Sequence, residues 1–186
     1  LLDTSKYDVF SQGAGRVDAY AAAFPSALAY AIDEAVLDSS GAIVENLKGT
    51  VTFGMQSLKE GDISVTKEIL VKDIKGIGGN YNVSVDVTKA YGDATITVDK
   101  PSFTLNGKEL LTVTLTASQN TATKLGDEML GYIHITSTEE DPTEVSLSVD
   151  RTALNMKKGD EIQLNVVEKT TTLPNPYTHI SLPFAV

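Results

Sequence analysis

Short alternating runs, separated by turn residues, dominate this chain from about residue 49 onward and limit what it can fold into. The runs are rich in Val, Ile, Thr and Ser, and Gly, Asn or Pro interrupts them. Alternation with a period of two places successive side chains on opposite faces of a strand, as in Tyr81, Val83, Val85 and Val87. No long amphipathic helical pattern follows Pro25, which argues against a doubly wound parallel sheet for most of the chain.

The spacing of the runs predicts roughly ten strands, one about every 8–12 residues, and therefore an antiparallel β-sandwich of the fibronectin-III or Ig-like class. The runs span residues 26–32, 42–53, 63–74, 81–87, 94–98, 103–105, 110–117, 130–137, 145–149, 153–156, 162–167 and 179–184. For the first of them, whose alanines also favour a helix, a helix remains the alternative. Asn106-Gly107 lies between two apolar runs and predicts a β-hairpin.

The first part of the chain has a different, Ala-rich composition. The segment 12–15, Gln-Gly-Ala-Gly, predicts a tight turn, because its two glycines tolerate unusual backbone angles. Asp18 is placed to N-cap a short helix through the following alanines to Phe24, and Pro25 ends it. We therefore expect a short helical segment before the sandwich.

Composition narrows the classes of function. The formal net charge of −10 disfavours nucleic acid and anionic membrane surfaces as partners. No apolar run is long enough to span a bilayer, so we expect no membrane insertion. Cysteine is absent, which excludes disulfides, thiolate nucleophiles and Cys-ligated zinc. The chain opens on Leu1-Leu2-Asp3 without a Met or a basic leader region, so we expect Leu1 to mark a boundary rather than a native N-terminus.

One stretch resembles a known family. Residues 12–22, Gln-Gly-Ala-Gly-Arg-Val-Asp-Ala-Tyr-Ala-Ala, resemble the end of the catalytic domain of subtilisin-like serine proteases, where such a turn precedes the last helix of the protease core. The preceding segments 1–4 and 7–9 are similar to the part that joins this helix to the nucleophile helix. The resemblance implies that residues 1–25 are the tail of a subtilase catalytic domain.

The rest of the chain resembles the module that follows the catalytic domain in larger bacterial subtilases of the C5a-peptidase, lactocepin and Vpr kind. The similar elements, in chain order, are Gly49-Thr50-Val51-Thr52-Phe53-Gly54, the strand pair within 67–87, Gly131-Tyr132-Ile133 and Leu182-Pro183-Phe184. This resemblance implies a fibronectin-III-like β-sandwich over 26–186. Residues 139–178 depart from the pattern and are similar to an inserted β-hairpin or Ig-like segment.

The resemblance implies a non-catalytic accessory module of a secreted subtilisin-like serine endopeptidase. It would stabilise the protease domain and assist in positioning protein substrate. The expected partner is the catalytic domain of the same parent protein. The expected location is extracellular or in the cell envelope, in a Gram-positive bacterium. The alternative is a stand-alone extracellular adhesion or structural β-sandwich, but an adhesin has no reason to begin with residues 12–22.

Three residues are candidates for catalysis, and the sequence argues against each. A subtilase brings Asp, His and Ser together in that chain order, each in its own local motif. Asp38-Ser39-Ser40-Gly41 imitates the Asp motif, but it has an extra Ser and follows the segment 12–22, so a hairpin turn is the preferred interpretation. His134 and His179 lie in strand-like runs without the Gly-Thr that follows the catalytic His, and we expect both on the outer face of a strand. No Gly-Thr-Ser occurs, so we expect no catalytic residue in this chain.

Cofactor and metal sites are likewise not expected. The acidic clusters Glu139-Glu140-Asp141 and Asp127-Glu128 raise the question of calcium, but their spacing does not match an EF-hand and solvated loops explain them better. The segment 76–80 is glycine-rich but lacks the Lys-Ser/Thr and helix of a phosphate-binding loop. The seven tyrosines are scattered and there is no Trp, which disfavours a sugar-binding platform.

Overall fold

Ten strands form two five-stranded sheets in the part of the chain that the structure describes, which is residues 8–14, 22–23, 25–138, 157 and 178–186 of a computed structural model. The strands are β1 (Ala27–Leu37), β2 (Ile43–Lys48), β3 (Val51–Thr52), β4 (Ile63–Asp73), β5 (Gly79–Lys89), β6 (Thr95–Val98), β7 (Ser102–Leu105), β8 (Lys108–Ala117), β9 (Leu130–Ser137) and β10 (His179–Ala185). The first sheet has the order β2-β1-β4-β8-β6 and the second the order β3-β10-β9-β5-β7.

The predicted fold class, a mainly β sandwich with a short N-terminal helical segment, is confirmed. The helix α1 (Val9–Gln12) has its first turn capped by the Asp8 side chain, and it lies before the helix predicted from Asp18 to Phe24. All strand pairs of the two sheets are antiparallel except β3 and β10, which pair in parallel through Val51 and Phe184. Successive strands repeatedly cross between the sheets: β4 lies in the first sheet, β5 in the second and β6 in the first.

The core lies between the two sheets and follows the alternation of the sequence. In β8, Leu111, Val113 and Leu115 are fully buried, while the threonines between them are partly exposed. In β9, Ile133 and Ile135 are fully buried and His134 between them is not. Burial of these alternate side chains is the main stabilising term for such a sandwich.

The first predicted run is a strand, and the helix alternative is wrong. Its orientation is the reverse of what side-chain size suggests. Ala27 and Ala31 face the core at 0% and 4% exposure, while Leu28 and Tyr30 lie on the outer face and are partly exposed. Alternation fixes that the two sets face opposite sides, but it does not fix which set points inward.

Two local predictions are wrong for reasons of sheet topology. The run 42–53 is not one strand: it breaks at Gly49, and its two parts, β2 and β3, belong to different sheets. The Asn106-Gly107 hairpin does not form either, because β7 pairs with β5 in one sheet and β8 pairs with β4 and β6 in the other. Gly107 still has a positive φ of 79°, which favours glycine. The turn predicted at this position therefore forms, but the two strands that it joins do not pair with each other.

Several predictions lie outside the described residues and stay predictions. These are the helix through residues 18–24, of which only Ala22 and Ala23 are described and are helical, the strands at 145–149, 153–156 and 162–167, the turn at 158–160, and the nature of the insertion at 139–178.

Buried hydroxyl groups tie together the starts of β1 and β10. Ser26 donates its N–H to Thr178 Oγ1 at 3.1 Å, and its own Oγ bonds both Thr178 Oγ1 and, at 3.3 Å, Tyr81 OH. Thr178 in turn donates its N–H to Ser137 Oγ at 3.1 Å. All four side chains are buried, so these bonds are shielded from competing water.

The connection from β4 to β5 is organised by one carboxylate. Asp73 accepts three backbone N–H bonds of 3.0, 2.7 and 2.7 Å, from Lys75, Gly76 and Gly78 respectively. Gly76 and Gly78 have φ angles of 72° and 65°, which glycine adopts without strain. Partial burial raises the pKa of Asp73, but the N–H bonds from Gly78, Gly76 and Lys75 outweigh it and hold that pKa below its ordinary value of 3.8.

We expect Asp73→Ala to lower the free energy of unfolding at neutral pH by about 1–2 kcal/mol, the range of other side-chain caps on backbone N–H groups. Because the folded pKa of Asp73 is depressed, its stabilisation is present above its ordinary value of 3.8 and is lost as the pH falls through the folded pKa. The difference between wild type and variant should therefore shrink in urea denaturation at about pH 3. A difference that stays constant with pH would contradict this role.

Candidate functional site

The catalytic candidate Asp38 lies at the tip of the β1–β2 hairpin, and the turn interpretation of this residue is confirmed. Its Oδ1 accepts bonds from Ser40 N at 2.8 Å, Ser40 Oγ at 2.6 Å and Ala42 N at 3.0 Å. Gly41 closes the turn with a φ of 82°. The bonds from the Ser40 side chain and from the two backbone N–H groups hold the pKa of Asp38 below its ordinary value. The ionised carboxylate therefore stabilises the turn in which it lies.

The two histidines lie beside each other on the outer face of the second sheet, as predicted for each separately. His134 on β9 and His179 on β10 have ring centroids 5.3 Å apart, with 26° between the ring planes. Ser181 lies between them, with Oγ at 2.9 Å from His134 Nδ1 and 3.1 Å from His179 Nε2. Ser181 is in the middle of β10 and is paired with His134 of β9, so its backbone is part of the β9–β10 ladder.

The acidic pair Asp127-Glu128 lies in the connection between β8 and β9. Glu128 forms an ion pair with Lys89 at 2.5 Å, and Asp127 Oδ2 accepts the Lys124 N–H at 2.7 Å. Within the described ranges, no group of three or more His, Asp or Glu side chains is arranged to hold a metal ion. The cluster at 139–141 lies outside those ranges.

The N-terminal segment docks on one end of the second sheet. Val9 of α1 is 7% exposed and packs on Leu130 and Tyr132 from the outer side. Tyr132 donates its hydroxyl to the Gly13 carbonyl at 2.9 Å. Burial raises the pKa of Tyr132 above its ordinary value of 10.0, so the phenol stays protonated and keeps this bond. The segment that resembles the protease tail is therefore anchored to the sandwich by an apolar contact and a polar one.

Near this end of the sandwich, the β1–β2 hairpin extends as an arm (residues 33–46). The pairing of β1 with β4 stops at Ile32 opposite Glu68, although β4 itself begins five residues earlier, at Ile63. Beyond that point, β1 and β2 pair only with each other in the described sheet, through Val36 opposite Val44 and Leu37 opposite Ile43. These four apolar side chains are exposed by 45%, 38%, 69% and 77% in that order.

The arm therefore presents apolar side chains on both of its faces. Consecutive residues of a strand point to opposite faces, so the Val36–Val44 pair and the Leu37–Ile43 pair lie on opposite sides of the ribbon. An isolated two-stranded ribbon is marginally stable in water. The Lys67–Asp33 contact of 3.4 Å fixes the arm at its base, where it leaves the sheet.

An open cleft of about 690 Å³ lies at the end of the sandwich where β4 begins and β10 ends. Its apolar lining comes from both sheets, from the loops at 54–59 and 123–129, and from α1. The apolar residues that line it include Phe10, Met55, Leu58, Leu125, Met129 and Val186. Phe10, Met55 and Leu125 are exposed by 67%, 84% and 92%, so large apolar side chains surround an open space here.

The arm, the cleft and α1 together are called the apolar end below. Large exposed apolar side chains that lie together mark interaction sites in proteins, whereas single ones are ordinary. The arm carries four carboxylates in residues 33–46 and no Lys or Arg, while the cleft lining has both signs of charge, with Lys59 and Lys124 as well as Asp127 and Glu128. The arrangement leaves large apolar side chains uncovered at this end of the sandwich.

The arm was not among the predictions from the sequence, although a signal for it was present. Val36-Leu37 and Ile43-Val44 are adjacent apolar pairs on either side of a turn, which breaks the alternation. Adjacent apolar residues in a strand make both faces apolar, so at an edge of a sandwich one face must be left uncovered.

Comparisons with known proteins add little to this description. No protein-family model and no curated protein matches the chain. Among solved structures, it is similar to the periplasmic chaperone SfaE, at 12% sequence identity and a TM-score of 0.31. The match covers 73% of this chain and 52% of the chaperone, so this chain spans about half the length of the structure it matches. No helix among the described residues is both long and apolar enough to cross a membrane.

Proposed function

We propose that this chain is a non-catalytic accessory module of a secreted or cell-envelope subtilisin-like serine endopeptidase, and that its apolar end docks on the catalytic domain of the same protein. The module stabilises the catalytic domain, and its exposed edges assist in positioning protein substrate. Peptide-bond hydrolysis by the serine, histidine and aspartate of the parent takes place in the catalytic domain, upstream of this chain.

One observation carries the proposal: the segment that resembles the end of the catalytic domain is attached to the apolar end. Val9 packs on Leu130 and Tyr132, and the Gly13 carbonyl accepts a hydrogen bond from the Tyr132 hydroxyl. Phe10, one residue further along α1, lines the apolar cleft. A catalytic domain continuous with this segment would lie directly over the cleft and beside the arm, where its contacts would cover the exposed apolar side chains.

Substitutions at the tip of the arm test this docking. In the parent protein, Leu37→Glu combined with Ile43→Glu is expected to speed the thermal inactivation of peptidase activity about tenfold, because charged residues cannot enter an apolar contact without cost. In the isolated chain the same pair should lower the free energy of unfolding by no more than about 1 kcal/mol, since both side chains are exposed and the lost cross-strand contact is confined to the arm.

A matched control lies at the opposite end of the sandwich. Ile74 and Ile77, in the β4–β5 connection, are 46% and 42% exposed. Ile74→Glu combined with Ile77→Glu is expected to leave the inactivation rate of the parent unchanged. Equal rates for the arm variant and wild type would contradict docking through the arm.

The coding sequence upstream of Leu1 tests the link to a protease. The resemblance predicts Gly-Thr-Ser-Met-Ala, or a close variant, about 60–120 residues before Leu1. A gene that begins near Leu1 would contradict the proposal and would favour the stand-alone adhesion or structural module. Hydrolysis of a peptide substrate by this isolated chain, blocked by a serine-directed inhibitor, would contradict the non-catalytic assignment.

A further inference from the structure

The only two histidines of this 186-residue chain are neighbours on the outer face of the second sheet. In the register of β9 and β10, His134 is opposite Ser181 and His179 is opposite Thr136. The histidines are thus diagonal cross-strand neighbours, and both side chains lie on the face away from the core. Diagonal neighbours on a sheet are close enough for long side chains to share one ligand.

The ring nitrogens of the two histidines converge on one point. His134 Nδ1 and His179 Nε2 both contact Ser181 Oγ, at 2.9 and 3.1 Å. A serine hydroxyl has one proton and can donate to only one of these nitrogens at a time. An ion at this point would instead be bound by both imidazoles at once.

We propose that His134 and His179 bind a divalent transition-metal ion, of the Zn²⁺, Ni²⁺ or Cu²⁺ class, in the space between them that Ser181 Oγ now occupies. The ring nitrogens, now 2.9 and 3.1 Å from that oxygen, close in on the ion to the roughly 2.0–2.1 Å of a metal–imidazole bond. The hydroxyl leaves this position by a single χ1 rotation to another staggered rotamer. The ion then has two protein nitrogens and keeps its remaining positions for water or for a carboxylate of a bound protein. The proposal does not depend on the link to a protease.

The surroundings of His179 favour the form that binds metal. Its second nitrogen, Nδ1, lies 2.7 Å from Thr136 Oγ1. A donor bond from Nδ1 to this hydroxyl directs the lone pair of Nε2 toward Ser181, as outer-shell partners do in metal sites.

The ligand chemistry selects the class of metal. Imidazole nitrogen suits Zn²⁺, Ni²⁺ and Cu²⁺, whereas Mg²⁺ and Ca²⁺ take oxygen ligands. Two imidazoles without thiolate follow the general order of affinity, with Cu²⁺ above Ni²⁺ and Zn²⁺. The carboxylates elsewhere on this acidic chain offer only oxygen, so nitrogen ligation distinguishes the site from them.

Calorimetric titration of the untagged 186-residue chain with ZnCl₂ and NiCl₂ tests the proposal. One equivalent of ion is expected to bind, and MgCl₂ at the same concentration is not expected to compete. His134→Asn and His179→Asn should each weaken the binding about tenfold or more, while Asp127→Asn, in a solvated acidic loop, should leave it unchanged. Ser181→Ala, which vacates the position between the rings, should bind at least as tightly as wild type.

Spectroscopy of the same samples locates the ion. With Ni²⁺, the ring protons of both histidines are expected to broaden in NMR spectra before any others. Zinc binding that survives both histidine substitutions would overturn the proposal, because it would show that the ion is on carboxylates. Broadening of only one histidine would also overturn it, because the site requires both rings.

Discussion

Gly131→Ala is expected to lower the free energy of unfolding by about 3 kcal/mol or more, since it forces a methyl group into a closely packed core. A Cβ at this position of β9 would lie 2.1 Å from the Asp86 carbonyl oxygen and 2.6 Å from Phe184 Cζ. The first neighbour is backbone of β5 and the second is a ring that is 1% exposed, so neither can move without disturbing the sheet. The melting temperature should fall by about 6–12 °C for a chain of this size.

Gly61→Ala is the matched control for this substitution. A Cβ added at Gly61 meets no atom within 4 Å, so the unfolding free energy should change by less than about 1 kcal/mol. Urea denaturation of both variants separates the effect of the contact from the general effect of replacing glycine. A Gly131→Ala variant as stable as the Gly61→Ala variant would contradict the packing of β9 between β5 and β10.

Thr178→Val is expected to lower the free energy of unfolding by about 2–3 kcal/mol, the second-largest effect. Valine has nearly the shape of threonine, so the change removes the hydroxyl and little packing. It deletes the acceptor of the Ser26 N–H and the hydroxyl partner of Ser26 Oγ, in a place that water does not reach. The loss should also loosen the start of β1 from the start of β10, because these bonds join the two.

Thr178→Ser keeps the hydroxyl and is the control. It should retain most of the stability that the valine variant loses, apart from about 1 kcal/mol for the missing methyl group. Amide hydrogen exchange at the start of β1 should quicken in the valine variant and stay near wild type in the serine variant. Equal stabilities of the valine and serine variants would exclude a role for the hydroxyl.

The strands were predictable from the sequence wherever alternation reports burial directly. β9 was predicted with the bounds it has, 130–137, because fully buried isoleucines alternate with polar residues there. The pairing of β7 and β8 was not predictable from Asn106-Gly107. A turn motif fixes the local backbone, but the partner of each strand is set by contacts with residues far away in the chain.

The features of the candidate site were likewise predictable only where a local sequence pattern determines them. The turn of Asp38 and the outer-face positions of the two histidines follow from local patterns, and the structure agrees with both. The two histidines are adjacent because of the register of β9 with β10, whose paired residues are more than 40 positions apart in sequence. The β1–β2 arm is uncovered because its pairing with β4 ends at Ile32, and no local sequence pattern indicates that end.

Hydrogen exchange at the arm tests the proposed docking most directly. We propose measuring it in this chain alone and in the same chain continuous with the proposed upstream catalytic domain. If the apolar end docks on that domain, the amides of Val36, Leu37, Ile43 and Val44 will exchange about tenfold or more slowly in the longer protein, while those of Ile74 and Ile77 at the opposite end will not change. Identical exchange at the arm in the two proteins would contradict the claim that the apolar end is the docking surface.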